Sequence, residues 1–107
     1  MGGYNTLIVE SVCPCCCERV TLKIQFRYGE VWDYTYFIGD ELRWGDENAG
    51  TRGKKLVVLD GVAESCEVCD EAPDYLIFVE NDVIRAVRQN QGEYQFFGDD
   101  GFIVIET

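Results

Sequence analysis

The chain of 107 residues contains no histidine. That absence removes the commonest general base near neutral pH, and neither a Ser/His/Asp nor a Cys/His nucleophilic arrangement can be assembled. Glycine-rich phosphate loops of the G-x-x-x-x-G-K-[ST] kind are missing as well. No apolar run approaches the length of a membrane span, and Met1-Gly2-Gly3-Tyr4-Asn5 lacks the basic and apolar regions of a signal peptide, so a reducing cytoplasm is the expected compartment. No segment sustains a 3.6-residue apolar period over ten residues or more, which argues against helices. Cations are scarce, with nine Lys and Arg against twenty Asp and Glu and a net charge of −11.

Cysteine is the residue the chain does have. Six are present, and Cys13-Pro14-Cys15-Cys16 and Cys66-Glu67-Val68-Cys69 repeat one spacing. Two residues between thiolates allow one tight turn to aim both sulfurs at a single ion, and two such turns complete a tetrahedron. Pro14 suits the first turn because its φ is fixed and no backbone donor is needed there. Cys13, Cys16, Cys66 and Cys69 are therefore the expected ligands of one structural Zn²⁺. In a reducing compartment paired CxxC motifs are metal sites more often than disulfides.

On these residues the chain resembles the zinc-ribbon class, in which two CPxC or CxxC knuckles each join a pair of strands and share one zinc. The resemblance covers the knuckles and their flanking strands. In that class the residue after the second Cys is often Gly, which enters the left-handed region freely. Here Cys17 and Asp70 hold those places. Asp tolerates that region and Cys does so less readily, which leaves Cys17 in competition with Cys16 as the ligand. Cys15 and Cys17 otherwise read as bystander thiols, with only Arg19 nearby to lower a thiol pKa.

Strand signals run almost end to end: Tyr4 to Val12, Arg19 to Phe26, Glu30 to Ile38, Lys54 to Asp60, Asp74 to Glu80, Val83 to Arg88 and Phe102 to Glu106. Each knuckle then falls at strand ends. Asn81-Asp82 accepts the positive φ values of a type I′ turn and closes a hairpin from Asp74 to Arg88. A three-residue loop at Arg27-Tyr28-Gly29 would pair Phe26 with Glu30, set Lys23 opposite Asp33 and Thr21 opposite Thr35, and place Trp32, Tyr34 and Tyr36 in the core. The alternative two-residue turn would expose that aromatic row beside Arg19, Lys23 and Arg27 and bury Asp33. The expected fold is all-β: one domain over residues 1–107, an antiparallel sandwich or partly open barrel with two zinc-knuckle hairpins.

Charge is divided unevenly. Residues 1–59 hold eight acidic and seven basic side chains, and residues 60–107 hold twelve and two. This field opposes phosphate, so nucleic acid is a disfavoured partner and a basic protein a favoured one. Candidate contact residues are Glu64, Glu67, Asp70, Glu71 and Asp74 around the second knuckle, Asp99 and Asp100 near the end, and Trp44, Asp46 and Glu47 in the longest irregular stretch. Trp44 also has a plainer reading as a lid over the core. Small acidic inhibitors and immunity proteins share this size and charge. The expected function is a non-enzymatic binding protein; a ribbon adaptor in transcription or RNA metabolism and a thiol redox or metal-handling protein are the alternatives.

Overall fold

The computed structural model describes residues 4–13, 16–46, 48–50, 52–66, 68–70, 74–92, 94 and 101–106. Among them are nine strands and no helix: β1 (Asn5–Val12), β2 (Arg19–Phe26), β3 (Gly29–Glu30), β4 (Thr35–Tyr36), β5 (Asn48–Ala49), β6 (Leu56–Ala63), β7 (Asp74–Glu80), β8 (Val83–Gln89) and β9 (Phe102–Glu106). The chain is all-β, and its main sheet curls into a partly open barrel of order β4-β1-β2-β6-β7-β8, with β9 on β6. A separate two-stranded sheet joins β3 to β5.

Alternation explains β2, and short apolar runs buried on both faces explain β6 and β7. Leu22, Ile24 and Phe26 on β2, Val57, Leu59 and Ala63 on β6, and Tyr75, Ile77 and Val79 on β7 face one core, and polar residues between them face outward on β2. Each fully buried Leu, Ile or Val removes enough apolar surface from water to contribute about 1.5–3 kcal/mol. Gly61 stands on this inner face because a Cβ there would lie 2.7 Å from Ile24 Cγ2 and 3.1 Å from the Tyr75 carbonyl oxygen. The β7–β8 hairpin turns as its residues predict, with Glu80 opposite Val83 and φ of 52° at Asn81 and 66° at Asp82.

One expected strand is different. Glu30 to Ile38 does not fold back on β2; β3 pairs with the distant Asn48–Ala49, and β4 runs parallel to β1 through Thr6–Thr35 and Leu7–Tyr36. Lys23 accordingly lies opposite Ile8 and Thr21 opposite Glu10, not opposite Asp33 and Thr35. The sheet is mixed as a result, where an antiparallel one was expected.

The physical cause is Asn5, a fully buried amide that satisfies four backbone groups of the interrupted segment. Its Nδ2 donates to the carbonyls of Tyr28 (3.3 Å) and Glu30 (3.0 Å), and its Oδ1 accepts from the N–H groups of Trp32 and Tyr34, both at 3.2 Å. These are the bonds a strand ladder would otherwise have provided. Asp33 takes φ 56° within this loop, so the aromatic row is split: Tyr36 is buried, Tyr34 packs against the core, and Trp32 is 66% exposed.

Candidate metal centre

Each half of the site begins where a strand ends. β1 stops at Val12, Cys13 donates its N–H to Glu18 O at 2.9 Å, and β2 departs at Arg19. β6 stops at Ala63, and β7 departs at Asp74. The two hairpins are joined edge to edge through Ile24–Ala63 and Gln25–Val62, and Glu64 N–H extends that seam to Lys23 O at 3.1 Å. This continuous backbone pairing carries two knuckles about fifty residues apart in sequence to the same end of the sheet.

The knuckles repeat one another closely. Cys17 N–H donates to Cys13 O, and Asp70 N–H donates to Cys66 O, both at 2.9 Å. Cys17 and Asp70 both occupy the left-handed region, with φ of 62° and 61°. The turn thus decides what the spacing left open: Cys16 is the second sulfur of the first knuckle, and Cys17 is the exposed residue that exits it. Val68 N–H also points at Cys66 Sγ, 3.4 Å away, the kind of bond that orients a thiolate.

The four expected sulfurs, Cys13, Cys16, Cys66 and Cys69, all lie within 4.8 Å of one another. Cys13 Sγ is 3.7 Å from Cys69 Sγ, and Cys16 Sγ is 3.8 Å from Cys66 Sγ. Sulfurs at the ~2.3 Å of Zn–S bonds stand ~3.8 Å apart at the corners of a regular tetrahedron. A disulfide needs ~2.05 Å, so these contacts are not covalent pairs. Cys13 and Cys66 are buried and Cys16 and Cys69 half-buried, which leaves little of the centre open to solvent. The residues therefore fit a tetrahedral metal ion of thiophilic character.

Without an ion the arrangement is electrostatically awkward. The Glu18 backbone N–H and the Cys69 thiol pull the Cys16 thiol down, while partial burial and the Cys13 and Cys66 thiols push it up, and the upward influences prevail. A bound cation reverses this balance, because a coordinated thiol is deprotonated outright. Four thiolates around one divalent ion carry a net charge of −2.

The other candidate residues are distributed as follows. Glu64, Asp70 and Asp74 are exposed at or near the second knuckle. Asp46 is exposed in the loop before β5. Trp44 is half-buried, its ring edge-on to Tyr28 at 5.4 Å and 80° and packed against the core, and its indole N–H is buried without an acceptor among the described residues. Glu47, Glu67, Glu71, Asp99 and Asp100 lie outside the described residues, as does Cys15. Sequence reasoning passed over Asp60. It interrupts an apolar run and becomes visible only once the partners of β6 are known.

No protein-family profile, curated protein or solved structure matches the chain. No helix among the described residues is long and apolar enough to cross a membrane.

Proposed function

We propose that the protein is a non-enzymatic binding module, stiffened by one structural Zn²⁺ on Cys13, Cys16, Cys66 and Cys69, whose acidic second half engages a basic protein. The observation that carries the metal reading is the pair of 3.7 and 3.8 Å sulfur separations, which match the edges of a zinc–thiolate tetrahedron. Four thiolates saturate such an ion and leave no position for an activated water, so its role is structural. Supporting the partner reading, Glu64, Asp70 and Asp74 present exposed carboxylates on the same end of the chain that holds twelve of its twenty acidic residues. An inhibitor or immunity role is the form of binding that this size and charge suit best.

A ribbon adaptor is the second reading, favoured by Arg19 and Lys23, exposed on one face of β2, and by Arg27, exposed just beyond its end. The two are separated by a pull-down from the source cell with the wild-type chain and with Glu64→Lys/Asp74→Lys. Under the first reading a basic protein co-purifies, dissociates in high salt and is lost by the charge-reversed variant. Nucleic acid captured equally by both forms would instead support the adaptor.

A further inference from the structure

Strand β6 changes partner half-way along its edge. Leu56–Leu59 pair with β9, Val62–Ala63 pair with β2, and Asp60 and Gly61 fall in the gap between. Asp60 N–H is satisfied by Gly101 O at 2.9 Å, so the backbone is content at this seam while the two neighbouring strands part. A cleft of about 100 Å³ opens there, lined by Tyr4, Gln25, Phe26, Arg27, Asp60, Val62 and Gly101.

The side chains that ring it lie on the outer face. Asp60 and Val62 alternate with the inward Leu59 and Ala63, and Gln25 and Arg27 alternate with the inward Ile24 and Phe26. Asp74, directly opposite Val62, shares that face. The Asp60 carboxylate is half-buried and has no ion-pair partner among the described residues. Burial, with the charge of Asp74 adding to it, holds its pKa above the ordinary carboxylate range. A negative group is thus kept partly dehydrated, with no described cation within ion-pair distance.

We propose that this seam cleft receives a single lysine side chain, its ammonium on Asp60 and its methylenes between Tyr4 and Val62. The inference rests on the basic partner proposed above and names the residue by which that partner would be held. Size selects the occupant: small-molecule sites span roughly 300–1,000 Å³, so this cleft suits one unbranched chain and excludes a nucleotide or cofactor. Charge selects the sign, since Asp60 lines the cleft with Arg27 as the one cation beside it, Asp74 adds its charge from the same face, and the chain has a net charge of −11. A compact ammonium on a flexible stem enters a narrow cleft more readily than a planar guanidinium.

The test is an amide-resolved NMR titration of the whole ¹⁵N-labelled chain with n-butylammonium chloride at constant ionic strength, with 1-butanol as the neutral control. The amides of Gln25, Val62 and Gly101 are expected to shift and saturate with the ammonium and not with the alcohol. Asp60→Asn should weaken binding about threefold, and Arg27→Ala should strengthen it. Equal binding by Asp60→Asn, equal binding of butanol, or shifts scattered over the acidic surface would each overturn the proposal. A basic protein held equally by wild type and Asp60→Asn overturns the cleft while sparing the partner reading; ammonium seated in the cleft with no basic protein captured does the reverse.

Discussion

Cys17 and Asp70, 53 positions apart, adopt the same left-handed backbone, φ 62° and 61°, and each closes its knuckle by donating to the carbonyl of the first cysteine four residues earlier. A cysteine in this conformation costs about 1–2 kcal/mol, and glycine does not pay it. Glycine's greater freedom in the unfolded chain offsets about 0.5–1 kcal/mol of that gain. Cys17→Gly is therefore expected to stabilise the protein by about 0.5–1 kcal/mol and to leave metal content unchanged, whereas Cys16→Ser should lose the ion. Thermal melts with metal analysis check both; loss of metal in Cys17→Gly would reassign the ligand.

Asn5 replaces a missing strand ladder, so its removal should be felt in one loop. Asn5→Ala leaves two carbonyls and two N–H groups in search of partners and is expected to cost about 3 kcal/mol. Hydrogen exchange should accelerate at Trp32 and Tyr34, and the knuckle amides of Cys17 and Asp70 should keep their protection. Uniform acceleration across the sheet would contradict the local role.

Gly61 is needed because there is no space beside it. Gly61→Ala drives a Cβ against Ile24 and the Tyr75 carbonyl and is expected to cost about 1–3 kcal/mol, measured by denaturant unfolding. A neutral result would mean that the seam can widen.

Asp60 makes stability depend on pH in a definite direction. Because its folded pKa is raised, the native state holds the proton more tightly than the unfolded chain does, and stability is lost as pH rises through the folded value. Asp60→Asn removes that loss. The gain at neutral pH is expected to be small, because solvent screens a half-exposed group, and it is read as a rise in Tm. It should vanish below the ordinary carboxylate range, and a gain that persists in acid would point to a cause other than ionisation.

What could be read from the chain was local. The alternation of Arg19–Phe26 marks a strand because its buried face repeats every second residue, Asp74–Glu80 is marked by a short apolar run buried on both faces between turn residues, and Asn81-Asp82 marks its turn because both residues tolerate positive φ. The four clustered cysteines were legible from spacing, each pair lying within a single turn. The path from Gly29 to Tyr36 was not, because its partners are remote: Ala49 for Gly29, and Thr6 and Leu7 for Thr35 and Tyr36. No local pattern shows that the amide of Asn5 will be buried among those segments. Asp60 was hidden likewise, since a carboxylate in an apolar run acquires its meaning only where β6 exchanges β9 for β2.

The central claim is one ion held by four thiolates, and sulfur-edge and metal-edge X-ray absorption on protein purified without added zinc tests it most directly. The expected result is about one Zn²⁺ per chain with four sulfurs at ~2.3 Å, and a Tm that falls sharply on chelation. Metal-free protein whose Tm is indifferent to chelators, or an ion with fewer than four sulfur neighbours, would contradict the account.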